Sequence, residues 1–361
     1  MTIRCLSRPW AAVLGAVAVT LVGCGGGDAP VSVGPPSPPA PTLQRLTLDT
    51  LFQIGAESGE SWQRFGGIWD VDVSSSGQIA VLDIETGQVH VYNSSGDHLG
   101  SVTESGLEPG ALEGPTGLAW RDADNLLVWD PGSSWISRFT VGKGVSFADQ
   151  SRAFAFGETG FCAEGDRVYL SYWQDDLVVH QLAKEGPVRS FGTMPEIPGM
   201  AELGPELQEI GIEELTPSGL LCTPSGVLDV AFYGSRVRMH DASGSLLWET
   251  ELADFNPLSV YSPDGMGLGR QFDAAEGTQL LRSLVAWGDE YGLVQYEVRT
   301  REYPEEGEVP VIESRLVRLS DGAEVDRTRD LPVVLSSWGR RLFLPATEPF
   351  PRVIVAEVAG N

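Results

Sequence analysis

A unit of short apolar segments joined by tight turns recurs along most of this chain. Its clearest copy begins with Asp70–Val73, which alternates between polar and apolar residues, and continues after tight turns with Gln78–Asp83 and Gln88–Asn93. Alternation with period two is typical of a half-buried strand, and serine- and glycine-rich turns between such stretches indicate hairpins. Each copy therefore predicts one small antiparallel sheet of four strands.

The second strand of this unit recurs five more times along the chain. Successive copies begin at Ile79, Leu126, Val168, Leu228, Leu293 and Leu342, which gives offsets of 47, 42, 60, 65 and 49 residues. Periods of about 40–50 residues with four strands each are typical of a β-propeller. We therefore predict an all-β chain with one six-bladed β-propeller over residues 43–361. A seventh blade would need a further unit inside Leu252–Gln279, where no strand alternation is present.

The last unit runs out after three strands, near Val358. A propeller whose last blade lacks its outer strand is usually closed by the other end of the chain, because closure removes the exposed sheet edge. Leu43, Leu46 and Leu48 make Leu43–Leu48 the predicted closing strand.

The first two units resemble a known family. Glu108–Leu112 followed by Gly114–Leu118 is similar to the segment between blades in NHL-type six-bladed propellers, and Gly77–Asp83 fits the same pattern. The resemblance covers about residues 67–139, and the later units keep the spacing without the motif. It implies the six-bladed fold.

The N-terminus has the three parts of a secretory signal peptide over residues 1–23. Arg4 and Arg8 supply the positive charge, and the apolar run Trp10–Val22 is shorter than the ~20 residues that a permanent spanning helix needs. The run ends in Leu-Val-Gly-Cys, which resembles a bacterial lipobox and implies a lipid on Cys24. The alternative is an ordinary signal peptide with a chance cysteine.

Residues 24–42 form a predicted flexible linker behind that cysteine. Their glycines and prolines cannot bury a core and suit a spacer. Gly25, in place of Asp, follows Cys24, which by resemblance to lipoprotein sorting favours the outer membrane, facing the periplasm or the surface. We therefore predict that the lipid attaches the protein to a membrane. We predict no cofactor besides that lipid.

Net charge narrows the classes of partner. Without Arg4 and Arg8 the chain has 50 acidic and 22 basic residues, a formal charge of −28. Nucleic-acid binding needs a basic surface, so this charge argues against it. It also argues against electrostatic docking on anionic lipid.

The innermost strands of a propeller line its channel, where enzymes with this fold place their ligands. The predicted channel mouth holds Trp69, Asp70 and Glu158, and each ring of aligned positions offers at most one carboxylate. A calcium site needs several converging oxygens, so the pattern is a poor match for one. Asp70 and Glu158 are either two solvated carboxylates or a general acid/base pair. The remaining enzymatic alternative is a metal-dependent hydrolase or lyase with its site at this mouth.

Besides the predicted lipid-bearing Cys24, the exported chain keeps two cysteines, Cys162 and Cys222. They occupy matching positions of neighbouring blades in a compartment that permits disulfides. Ring symmetry argues the other way, because it separates equivalent positions and aims both side chains in the same direction. The sequence leaves both a bridge and two free thiols open.

Three long segments interrupt the repeat, all on the face that carries the links between blades. Two of them are acidic, and their glutamates are the candidate binding residues: Glu196, Glu202, Glu206, Glu209, Glu213, Glu214, Glu305, Glu306 and Glu308. Long loops on a rigid scaffold are a common place for binding. We therefore predict a monomeric, membrane-anchored binding or scaffold module whose partner is a basic protein or a cationic ligand. The alternative is that these loops only cover the channel and keep the surface soluble.

Overall fold

The computed structural model describes residues 42–43, 46–153, 160–183, 186–215, 217–263, 265–303, 305 and 308–359. These residues form six four-stranded antiparallel sheets and one additional two-stranded sheet. The six sheets are the blades of a six-bladed β-propeller, which confirms the predicted fold. The predicted signal peptide, Cys24 and the linker up to residue 41 lie outside the described residues.

Each of the first three blades is a four-stranded meander with its strands in chain order. The strands of blade one are Ile68–Val73, Ile79–Asp83, Gln88–Tyr92 and His98–Val102. Those of blade two are Gly117–Trp120, Asn125–Asp130, Trp135–Val141 and Val145–Arg152. Those of blade three are Phe161–Glu164, Arg167–Gln174, Leu177–Ala183 and Gly186–Thr193.

The other three blades follow the same plan, except that the last takes one strand from the N-terminus. The strands of blade four are Ser218–Thr223, Gly226–Ala231, Arg236–Asp241 and Leu246–Glu251. Those of blade five are Thr278–Trp287, Tyr291–Arg299, Val311–Arg318 and Glu324–Thr328. Those of blade six are Ser336–Trp338, Arg341–Ala346, Arg352–Val358 and Leu48–Ile54. Helix α1 and a short hairpin lie between blades, with these bounds: α1 Pro205–Leu215, and strands Ser259–Tyr261 and Gly269–Gln271. Two 3-10 turns cover Ser61–Gln63 and Met200–Glu202.

The ring is closed by an N-terminal strand, but the predicted bounds were wrong. The closing strand is Leu48–Ile54, paired antiparallel with Arg352–Val358. A bulge between Thr50 and Phe52 shifts the register and breaks the alternation that would have marked this strand in the sequence. Leu43, placed in the strand by prediction, instead lies buried in a turn ahead of it.

The core is divided among the seams between blades. One cluster joins Leu82 and Val91 of blade one to Leu118 and Val128 of blade two. Blades one and six share another cluster, as do blades four and five. Because the innermost strands surround a channel, the apolar side chains are buried between neighbouring blades, and this burial stabilises the ring.

The first two blades share one device that explains their resemblance in sequence. The carboxylate of Asp83 accepts hydrogen bonds from the N–H groups of Gly66 and Gly67, each at 2.9 Å. Asp130, 47 residues later, accepts them from Glu113 and Gly114 at 2.8 and 2.9 Å. Each aspartate ends the second strand of its blade and fixes the segment that enters that blade. The second strands of blades three to six end in other residues, which is why the motif fades there.

Candidate functional site

The ring has two different faces. The turns between strands one and two and between strands three and four lie on one face, which we call the turn face. The loops between strands two and three and the links between blades lie on the other, the link face. Connections on the turn face are short, such as residues 74–78. The link face carries three long insertions, residues 194–217, 252–277 and 300–310.

The first insertion is built around α1. Leu207, Gly211 and Leu215 are its buried residues, and their spacing of four places them on one stripe of the helix. A Cβ on Gly211 would lie 2.8 Å from Cε of Met200, so the missing side chain lets the helix settle on that methionine. The opposite side of α1 carries glutamates into solvent.

The second insertion packs directly on the first. The N–H of Val260 in the hairpin donates to the carbonyl of Pro198 at 2.9 Å. Gly199 has φ +83°, and a Cβ there would lie 2.0 Å from the Val260 carbonyl oxygen, so only glycine fits this approach. The two insertions share a core formed by Ile197, Met200, Leu203, Leu207, Leu215, Leu258 and Val260.

The third insertion joins the other two through one arginine. Arg270, in the hairpin, is 3.0 Å from a carboxylate oxygen of Glu214 on α1. The same guanidinium is 3.7 Å from Glu302 in the third insertion. Three segments that are far apart in sequence therefore meet on the link face. We call these three insertions together the cap.

Buried polar contacts fix the base of the second insertion to blade five. Gln279 accepts from the N–H of Asn256 at 2.6 Å and donates to Glu313 at 2.8 Å. Arg315, fully buried, donates to the carbonyl of Ala253 at 2.6 Å. Burial alone would raise the pKa of Glu313, but the guanidinium groups that bind it lower that pKa below its usual value. Glu313 is therefore a charged anchor at neutral pH.

The glutamates predicted as binding residues lie on this cap. All those that the structure describes are exposed: Glu196, Glu202, Glu206, Glu209, Glu213, Glu214, Glu305 and Glu308. Glu306 lies outside the described residues. Glu214 is the one that pairs with Arg270, and Glu305 contacts Arg301. The exposed acids thus lie on the first and third insertions, which Arg270 joins through Glu214 and Glu302.

The central channel opens on the turn face as a cavity of about 550 Å³. Apolar side chains such as Phe161, Leu284 and Leu335 form much of its wall, and Asp70 and Asp72 project from blade one. This volume is in the range of small-molecule pockets.

Hydrogen bonds across a seam account for both channel aspartates. Asp70 accepts from the N–H of Leu118 at 2.8 Å, and Asp72 accepts from the N–H of Trp120 at 2.7 Å. Burial raises the pKa of Asp70 to about 6 and that of Asp72 to about 7, and the negative charge of Asp70 adds to the second shift. The two carboxylates therefore link blade one to blade two.

The other end of the channel holds two of the three residues predicted at its mouth. Trp69 and Asp70 line a cavity of about 210 Å³ there, and Trp69 donates from Nε1 to the Thr116 carbonyl at 3.0 Å. Glu158 lies outside the described residues. Asp70 and Asp72 lie two residues apart on one strand, so their side chains are on the same face of the sheet. Their spacing in the sequence already implied this arrangement.

Cys162 and Cys222 form a disulfide in the wall of the larger cavity, with a Cα–Cα distance of 5.5 Å. Gly160 explains how equivalent strands come this close. A Cβ at that position would lie 2.0 Å from the carbonyl oxygen of Ser218, so the innermost strands of blades three and four approach only because it is glycine. The distance objection drawn from ring symmetry does not hold at this seam.

Sequence reasoning missed a contact between two histidines. His90 and His98 both bind the hydroxyl of Ser101, at 2.7 and 2.8 Å, and His98 stacks on Trp62. Burial, helped by the charge of His98, lowers the pKa of His90 to about 4. The imidazole of His90 is therefore neutral at physiological pH, and its role is to join the third strand to the fourth.

Two features are absent from the described residues. Among these residues, no three His, Cys, Asp or Glu side chains form a group that could hold a metal ion. In the same part of the chain, no helix has the length and apolar character needed to cross a membrane.

Comparison with known proteins extends the fold assignment. No known family profile matches the chain, and no curated protein sequence matches it significantly. A protein from Bacteroides fragilis described as exported has 9% identity and a TM-score of 0.53, over 87% of this chain and 95% of that one. A member of the duf4221 family from Bacteroides vulgatus has 8% identity and a TM-score of 0.54, over 87% and 98%. At such low identity these similarities show the shared propeller fold alone.

Proposed function

We propose that this chain is an exported, lipid-anchored binding module of the bacterial envelope that holds a partner protein on its cap. The observation that carries the proposal is the cap itself. Three insertions converge on one face: the first two share a core, and the ion pairs of Arg270 join the third to them. Ordered loops on a rigid scaffold are a common design for binding surfaces, and the short turns of the opposite face offer no such layer.

The charge of the cap favours a basic partner. Residues 194–217 contain six glutamates and no lysine or arginine. Such a surface attracts positively charged proteins and repels nucleic acid and anionic lipid. A cationic small ligand is the other partner that this charge would suit, and the experiment below separates the two.

The point where the chain enters the ring also supports the proposal. Leu48 pairs with Val358, which donates to the carbonyl of Arg340 in the first turn of blade six. The N-terminal segment therefore joins the propeller on the turn face. The described chain thus enters the ring at the face opposite the cap, so this entry point does not cover the cap.

The test is capture of partners from gently solubilised membranes by the full chain and by two matched double variants. Glu209→Gln with Glu213→Gln removes two charges from α1, and Asp289→Asn with Glu290→Gln removes two exposed charges from the turn face. We expect the cap variant to retain several-fold less of a basic protein, with a loss that shrinks as salt rises.

Equal capture by the two double variants, or a loss only with the turn-face pair, would contradict the proposal. Elemental analysis of the same preparations addresses the enzymatic alternative. A stoichiometric divalent ion without a retained protein would favour a metal-dependent hydrolase or lyase. A retained cationic small molecule would replace the protein partner by a ligand.

A further inference from the structure

The two channel acids, Asp70 and Asp72, have no positive partner among the described residues. The donors that hold them are neutral: backbone N–H groups at both carboxylates, and the side chain of Ser336 at Asp72. Within the described part of the chain, no lysine or arginine forms an ion pair with either carboxylate. Buried charges in proteins are normally paired with an opposite charge, because removal from water costs free energy. The charge of these two acids therefore calls for an explanation.

The contact between blades one and two does not by itself require acids. An asparagine would accept the same backbone N–H with its carbonyl oxygen and would bring no charge. Strand pairing places uncharged residues at the positions that match Asp72 in the other five blades: Ala119, Cys162, Leu220, Leu284 and Ser336. The innermost strands of those blades thus pack without a carboxylate at this level of the ring.

Both acids line a cavity large enough for a small molecule. Asp70 and Asp72 share the larger channel cavity, of about 550 Å³, with the apolar side chains of Phe161, Leu284 and Leu335. Pockets for small molecules are of this size and combine apolar walls with a few polar groups that orient the ligand. The cavity therefore offers an apolar surface and a pair of carboxylates in one space.

The other charged residues leave this cavity negative. Besides the two channel acids, the charged side chains that line it are Arg121, Asp122 and Glu164. Arg121 forms an ion pair with Asp166, and Arg282 lines the smaller cavity at the other end of the channel. Acids of one sign beside low-dielectric walls concentrate the electric field and attract cations.

Both carboxylates also keep the capacity to accept further hydrogen bonds. An ionised carboxylate accepts about four hydrogen bonds. The described donors number two at Asp70 and three at Asp72. An ammonium group, which carries several N–H donors, can therefore bind without displacing the contacts between the blades.

We infer that the channel cavity binds a small organic cation, a protonated amine on an apolar body, whose ammonium group is held by Asp70 and Asp72. The apolar body packs against Phe161, Leu284 and Leu335. A calcium ion suits this wall poorly, because it needs about six to eight oxygen ligands and gains nothing from apolar side chains. The site is separate from the cap and does not depend on the function proposed for the cap.

Three small molecules and one salt test the inference on the full chain. Benzylamine has both the charge and the apolar body, benzyl alcohol lacks the charge, methylamine lacks the apolar body, and calcium chloride supplies a metal ion. Binding is measured by isothermal titration calorimetry at about pH 8. We expect benzylamine to bind about tenfold or more tighter than benzyl alcohol or methylamine, and calcium ions not to bind.

The pH dependence identifies the groups that hold the amine. Burial raises the pKa of Asp70 to about 6 and that of Asp72 to about 7. Lowering the pH from about 8 to about 5.5 therefore adds protons to both acids, whereas benzylamine keeps its charge over this range. The affinity for benzylamine should fall about tenfold or more over that change, and that for benzyl alcohol should stay constant.

Matched variants locate the site. Asp72→Asn keeps an acceptor for the backbone N–H of Trp120 but removes the charge, so it should weaken benzylamine about tenfold and flatten the pH dependence. Asp97→Asn removes one charge from a turn of the same blade, outside the cavity, and should leave the affinity unchanged. Thermal melting of each variant confirms that it remains folded.

Four results would overturn the inference: no saturable binding of benzylamine, equal binding of benzylamine and benzyl alcohol, no loss with Asp72→Asn, or an equal loss with Asp97→Asn. Binding of calcium ions that Asp72→Asn abolishes would assign the acids to a metal ion and overturn it as well. Loss of benzylamine only with the double variant Glu209→Gln and Glu213→Gln would place the amine on the cap. Capture of a protein by the cap should be the same with and without Asp72→Asn, so failure of either proposal leaves the other standing.

Discussion

Loss of the disulfide between Cys162 and Cys222 is the perturbation whose size follows most directly from the structure. The bridge closes a segment with a sequence separation of 60. In the chain-entropy description, a loop of this length constrains the unfolded chain by about 4 kcal/mol at 25 °C. Domains are commonly stable by about 5–15 kcal/mol, so the change is a large fraction of the total.

The assay is thermal melting of Cys162→Ser with Cys222→Ser against the oxidised parent chain. With roughly 2–4 °C per kcal/mol for a chain of this class, we expect a decrease in Tm of about 10 °C. The parent chain treated with a reductant should melt with the double variant, because both lack the same constraint. The single variant Cys162→Ser should expose the thiol of Cys222 to reagents that enter the channel cavity.

Equal melting of the oxidised parent and the double variant would refute the entropic argument. Mass analysis that finds two free thiols in protein prepared from the periplasm would refute the bridge itself. Gly160→Ala supplies an independent check, because its Cβ would meet the Ser218 carbonyl and force the two strands apart. That variant should slow formation of the bridge during refolding.

Four further predictions concern other parts of the chain. Cys24→Ala should move the protein from the membrane fraction to the soluble one, and membrane retention after signal cleavage would contradict the anchor. Deletion through the closing strand Leu48–Ile54 removes the burial of Phe52 and Ile54 and should lower the free energy of unfolding by about 3–6 kcal/mol. A deletion that stops before that strand removes the burial of Leu43 and should cost about 2 kcal/mol. Equal urea midpoints for the two deletions would reject the closure. Gly199→Ala should make the cap far more sensitive to limited proteolysis, whereas Gly165→Ala, with positive φ and open space around it, should cost only about 1–2 kcal/mol without loosening the cap. Because burial lowers the pKa of His90 to about 4, its contribution to stability is complete above pH ~6.5 and lost as the pH falls towards 4; His90→Gln should flatten the unfolding free energy over that window, and an unchanged pH profile would show that another group governs it.

The blades were predictable because each strand carries its own signal. The alternation of Asp70–Val73, the glycine turns and the spacing of the copies can all be seen in the sequence without knowledge of distant contacts. The closing strand was misplaced for a local reason as well. The bulge near Thr50 shifts the period by one residue, so Leu48–Ile54 does not show simple alternation.

Contacts between distant segments were beyond sequence reasoning. Nothing near Gly199 indicates that it meets Val260, and nothing near Arg270 indicates its two carboxylate partners. Gly160 was the one available signal for the disulfide, because a glycine just before the first strand of a blade permits close approach. The acids of the cap could be read from the sequence, but the contacts that join the three insertions form only when those segments fold together.

The central claim is that the cap is the docking face of this propeller. Hydrogen–deuterium exchange on the full chain, free and in complex with its captured partner, tests it most directly. The account predicts slower exchange on binding in α1, in the hairpin between Ser259 and Gln271 and in residues 300–310. Protection confined to the turn face, around Asp72 and Trp120 in the larger channel cavity, would contradict this claim.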